Sequence, residues 1–93
     1  MDRDTYVEKM KAQIDAWNAE IDKMQAQANK AQAEARKKYE EQLAAMRAQR
    51  DQAEEKMREA RTASEGAWDD MQKSMTAAWE AIGEGWRNAM KRF

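Results

Sequence analysis

Large apolar residues recur along this chain at two different spacings. Val7, Met10, Ile14, Trp17, Ile21 and Met24 follow one another at steps of three and four. With Val7 at position a of a heptad, Val7, Ile14 and Ile21 fill a, and Met10, Trp17 and Met24 fill d. This is the seam of a left-handed coiled coil. The seam then thins through Ala28, Ala31 and Ala35, which sustain helix but bury little area. Two consecutive steps of four, from Ala35 to Tyr39 to Leu43, shift it by one residue, a stutter that locally unwinds a supercoil. The shifted seam continues through Met46, Arg50, Ala53, Met57 and Ala60. No Pro or Gly interrupts the stretch, so the spacing predicts one helix from about Tyr6 to about Arg61, on the order of 80 Å long.

The last third has a different period. Written in elevens from Ala67 it reads AWDDMQKSMTA, AWEAIGEGWRN and AMKRF. Trp68, Trp79 and Met90 share one slot, Met71, Ile82 and Phe93 another, and Met75 and Trp86 a third. At about 100° per residue these eight side chains fall on one helix face. An eleven-residue repeat has about 3.67 residues per turn, so this segment is nearly straight, unlike the heptad stem. Gly83 and Gly85 each weaken it by about 1 kcal/mol relative to Ala.

Helix boundaries are marked by side chains. Thr5 and Glu8 have the spacing of a capping box, with Thr5 as N-cap and Asp2 and Asp4 beside the positive helix end. In Thr62-Ala-Ser-Glu-Gly66, Thr62 and Ser64 can each cap, Thr62 and Glu65 have the spacing of a second capping box, and Gly66 weakens helix. That stretch is the expected fold-back. None of its residues forces a turn, so a continuous helix to Phe93 is the alternative. In the folded-back form Ala60 faces the region of Trp68, and Ala53 and Ala48 face the middle of the last helix. Large side chains then meet small ones.

The expected fold class is therefore all-α. A coiled-coil stem helix spans residues 1–62, and a shorter amphipathic helix spans 63–93, folded back as a helical hairpin and assembled into a homo-oligomer. An isolated rod cannot cover its own stripe, so the seam residues Val7, Met10, Ile14, Trp17, Ile21, Met24, Tyr39, Leu43, Met46 and Met57 are expected between copies, as a dimer or tetramer. The tail residues Trp68, Met71, Met75, Trp79, Ile82, Trp86, Met90 and Phe93 are expected to form a second interface.

Composition narrows the chemistry. Of 93 residues, 38% are charged, yet the net charge is −1. The stem carries 13 basic and 13 acidic residues and the tail 4 and 5, so neither part offers the sustained basic surface that nucleic acid needs. Arg36-Lys37-Lys38 is the one basic run, flanked by Glu34, Glu40 and Glu41, and reads as a solvated helix face. Arg50 can pair with Glu54, and Glu54 with Arg58, at i,i+4 spacing. There is no His and no Cys, which removes the usual proton shuttle, thiol nucleophiles and soft metal ligands. Ser64 and Ser74 have no evident base. No phosphate loop, calcium loop or nucleotide fingerprint occurs. No catalytic, metal or cofactor residues are assigned, and the chain is expected not to be an enzyme. Of the eight methionines, Met10, Met24, Met46, Met57, Met71, Met75 and Met90 fall on the seams and read as core filling. The opening MDRDTYVEK is too polar for a signal peptide, and no run reaches the ~18 apolar residues of a membrane span, so a cytoplasmic location is the expectation.

The runs YVEKMKAQIDAWNAEIDKM, KYEEQLAAMRAQRDQAEEKM and GAWDDMQKSMTAAWEAI resemble a group of small bacterial coiled-coil domain-containing proteins, some of them labelled stress-response proteins. The most specific parts are Trp17 to Asp22 and Gly66 to Met71. The resemblance implies a bacterial, non-enzymatic, self-associating protein and supplies no catalytic residues. Three functions follow from the residues. The first is a structural or interaction protein that self-associates through the seam. In the second, the C-terminal helix lies on a lipid surface, although its charge lacks the basic excess that anionic lipid rewards. In the third, the same helix binds another protein as an adaptor or chaperone-like element.

Overall fold

The computed structural model describes residues 2–91. Three helices of nearly equal length follow one another: α1 (Arg3–Lys30), α2 (Ala33–Thr62) and α3 (Glu65–Lys91). The chain folds down, up and down again into a body 52 Å long and 18 by 15 Å across its Cα atoms. The middle helix packs closely on both others.

The single helix expected from Tyr6 to Arg61 is replaced by α1 and α2, joined by two extended residues. Ala31 has φ −80° and ψ 153°, and Gln32 has φ −71° and ψ 164°. Local preference favours continuing the helix here, so the turn needs other support. Arg36 provides it from the first turns of α2. Its guanidinium donates to the Ala28, Asn29 and Ala31 carbonyls at 3.3, 3.4 and 3.3 Å. In a continuous helix the first two of these oxygens would accept from the Gln32 and Ala33 amides. A cation there also suits the negative end of α1. Arg36 thus does more than stand in solvent as part of a basic run.

The second turn lies at Ala63 and Ser64, within the stretch marked by the sequence. Ala63 is extended, and the Ser64 hydroxyl accepts from the Ala67 amide at 3.1 Å. Serine at this place is a standard N-cap. Of the two residues expected to cap here, Ser64 does so, whereas Thr62 donates its hydroxyl back to the Arg58 carbonyl at 2.9 Å. The Arg3 guanidinium donates to the Ala63 carbonyl, closing the end of α2 much as Arg36 closes α1. At the start of α1 the cap is Asp2 rather than Thr5. The Asp2 carboxylate accepts from the Thr5 amide at 2.7 Å. A charged acceptor outcompetes a hydroxyl at the positive helix end.

The core runs the length of the bundle in two parts. One gathers Ile14, Trp17, Ile21, Leu43, Met46, Ala53, Ile82 and Trp86, and the other gathers Met10, Ala60, Trp68 and Met75. Ala53 and Ala60 are wholly enclosed, and Ala60 shares a cluster with Trp68 as expected. Ala48 does not join them and is exposed. The ion pairs among the described residues all join neighbours on one helix. Arg50 reaches Glu54 at 3.8 Å, whereas Arg58 bonds Glu55 at 2.6 Å rather than Glu54. Such pairs are worth about 0–1 kcal/mol each and cannot set the tertiary arrangement.

The two glycines of α3 differ in their surroundings. A Cβ on Gly83 would meet Arg87 Nη1 at 3.7 Å, an ordinary contact, whereas one on Gly85 would lie 2.5 Å from Gln49 Oε1. Gly83→Ala should therefore raise stability by about 0.5–1 kcal/mol in urea denaturation. Gly85→Ala should gain less, because the Gln49 amide must first swing away; equal gains would contradict this packing. The N-cap bond from the Thr5 amide holds the Asp2 pKa below its ordinary value of 3.8. Its contribution is complete above that value and disappears as pH falls through the lowered pKa. An NMR titration of the Thr5 amide should show a midpoint below 3.8, and a midpoint at or above it would remove the cap.

Candidate functional site

The feature that ties α1 to α3 is aromatic. The Trp17 indole is stacked against Trp86 at a centroid distance of 4.7 Å and an interplanar angle of 6°, and against Trp79 at 6.0 Å and 8°. Trp79 and Trp86 stand seven residues apart, so their rings project from one face of α3 two turns apart and Trp17 enters between them. One repeat earlier, Tyr6 meets Trp68 at 5.1 Å, with the rings tilted by 58°. Tyr6 and Trp17 are eleven residues apart, as are Trp68 and Trp79. The period of α3 is therefore matched by two aromatic residues of α1, and the two helices run parallel in that register. Tyr6 was not among the expected interface residues; its spacing from Trp17 was the available signal.

Burial follows the two apolar stripes. On α1, Met10, Ile14, Trp17 and Ile21 are buried, with Val7 and Met24 at the edge. On α2, Leu43 and Met46 are buried and Tyr39 and Met57 partly so. On α3, Trp68, Met75, Ile82 and Trp86 are buried, and Met71, Trp79 and Met90 are partly covered. Phe93 lies outside the described residues. Side chains expected to lie between copies, or against lipid or another protein, are covered here by helices of the same chain. A partner that reaches the buried residues Trp68, Met75 and Ile82 of the α3 stripe has to displace α1 or α2.

Two buried residues carry no large apolar side chain and were not expected. Gln42 is 5% exposed, and its amide donates to the Ala89 and Met90 carbonyls at 3.3 and 3.4 Å. It satisfies the last carbonyls of α3 from across the bundle. Ala89 packs beside it. On the other side of α2, Arg50 donates to the Asn18 side chain at 2.8 Å and Arg47 to Gln25 at 2.6 Å, fixing the register of α1 on α2. Among the described residues no buried side-chain nitrogen or oxygen is left without a partner.

Outside the stack, a groove of about 540 Å³ opens between α1 and α3, bordered by Gln13, Ala16, Glu20, Glu80, Gly83 and Arg87 and floored by the three indoles. A second hollow, at the starts of α1 and α3, is bordered by Asp2, Asp4, Glu65 and Asp69 with Arg3 among them. Among the described residues no group of three or more acidic side chains is arranged to hold a metal ion, and no helix is long and apolar enough to cross a membrane.

Trp17 is 5% exposed and Trp86 8%. Burying an indole of about 200 Å² is worth roughly 5 kcal/mol gross, several times any single polar contact in the bundle. Trp17→Ala should therefore lower stability by about 3–5 kcal/mol and remove most of the near-ultraviolet circular dichroism. A loss under about 1 kcal/mol would mean that the indole is not enclosed. Comparison with profiles of known families, with curated proteins and with solved structures finds no match for this chain.

Proposed function

We propose that the protein is a non-enzymatic structural or interaction protein that self-associates through the same apolar faces that close its bundle. The reading rests on the form of the α1 contact. Its heptad positions Met10, Ile14, Trp17 and Ile21 are all covered by side chains of α2 and α3. The seam is therefore complementary to a helical surface that this chain itself carries, and every further copy carries the same surface. Helix faces of this kind associate through apolar area and steric fit rather than through a particular charge pattern. The near-neutral balance of 17 basic and 18 acidic residues leaves little long-range repulsion between copies.

Sedimentation equilibrium from micromolar to millimolar concentration tests the reading. The apparent mass should rise from the 10.8 kDa of one chain toward a dimer as concentration increases. One chain's mass throughout that range would rule self-association out.

A further inference from the structure

The geometry points to a hinge at Ala31–Gln32 through which two copies exchange α1. This rests on the self-association reading above and names how the second copy is held. Both link residues already have φ values of −80° and −71°, close to those of a helix, and differ from helix only in ψ. Rotating two ψ angles converts Lys30-Ala31-Gln32-Ala33 into uninterrupted helix. Every residue in that stretch is a good helix former, and Gln32 makes no side-chain capping bond that would resist the change. A connection of only two residues, with no glycine or proline, is the kind of short hinge that favours exchange of an element between copies.

In the exchanged form Arg3 to Thr62 becomes one helix on the order of 90 Å long, compared with the 52 Å of the closed body. The α1 segment of each copy lies on α2 and α3 of the other. Trp17 stacks between Trp79 and Trp86 of the second copy, and Arg50 again reaches Asn18 across the chains. Outside the turn, every interhelical contact of the closed bundle is remade between the two chains. The difference between the two forms is confined to the turn, where the bonds from Arg36 to Ala28, Asn29 and Ala31 are exchanged for backbone bonds of continuous helix. Arg36 is therefore the residue that sets the balance.

Two substitutions act on the hinge in opposite directions. Ala33→Pro fits the closed form, because Ala33 is the first residue of α2 and Gln32 before it is extended. In the exchanged form the same proline lies inside a helix, where it removes a backbone bond and clashes with the preceding turn. Arg36→Gln takes away the guanidinium that holds the turn. The test is sedimentation together with small-angle scattering on the full chain, refolded at millimolar concentration, with thermal melts of each variant. The wild type should give an elongated dimer. Because each dimer carries two hinges, Ala33→Pro should weaken dimerisation by about ten-thousandfold while melting no lower, and Arg36→Gln should strengthen it roughly ten- to hundredfold. A dimer formed equally well by Ala33→Pro would overturn the exchange and leave self-association standing. A wild type that stays monomeric would overturn both. An Ala33→Pro chain that fails to fold would contradict the turn geometry from which the hinge follows.

Discussion

The insertion of Trp17 between Trp79 and Trp86 is the contact on which the rest of the bundle depends. The α1 and α3 helices lie side by side largely through their side chains, with α2 serving as the common neighbour of both. Three stacked indoles span the space between them, and Tyr6 on Trp68 repeats the contact one eleven-residue interval earlier. Because a stack is directional as well as apolar, it fixes the register of two helices that are not consecutive in the chain, with the Tyr6 hydroxyl donating weakly to Thr76 at 3.5 Å beside it. The alanines of α2 complete the fit. Ala53 and Ala60 are wholly enclosed, the first in the cluster that holds Ile82 and the second in the one that holds Trp68.

With the helices aligned in this way, their ends must be closed without glycine turns. The described backbone holds no positive φ at any residue. The chain turns instead through extended residues, and an arginine of another helix supplies donors that the carbonyls at each turn lack. Arg36 serves α1, Arg3 serves α2, and Gln42 serves α3 from within the core. Each link therefore depends on a side chain that belongs to a different helix or to the next one. Turn and packing form together, as expected where local preference alone would run straight through.

The stripes on α1 and α3 were legible in the sequence because burial on one helix face leaves a periodic mark. The seam from Met10 to Ile21 and the elevens from Trp68 to Trp86 are where the core sits. What covers them was not legible. A helical period states which face is buried and is silent on whether the covering helix belongs to the same chain. The turn at Ala31–Gln32 was missed because its residues are strong helix formers and its cause, Arg36, acts through tertiary geometry. The one local trace was the stutter from Ala35 to Tyr39 to Leu43. Read as a flaw in a coiled coil, it is the change of phase to be expected where one helix ends and another begins. Gln42 was hidden for a related reason: α2 is covered on two sides, so its buried arc is wider than a heptad seam and includes a polar residue with a specific bond to make. At the second turn the sequence offered both Thr62 and Ser64 as caps, and the bond from the Ala67 amide goes to Ser64 rather than to the member of the capping-box pair.

Single-molecule energy transfer between dyes at residues 4 and 61 would test the single-chain bundle most directly, since the chain has no native cysteine to compete for labelling and the dilution excludes association. The bundle brings the ends of α1 and α2 together, as the bond from Arg3 to Ala63 requires, and gives high transfer efficiency. An efficiency near zero, corresponding to a separation on the order of 85 Å along an unbroken helix, would contradict it.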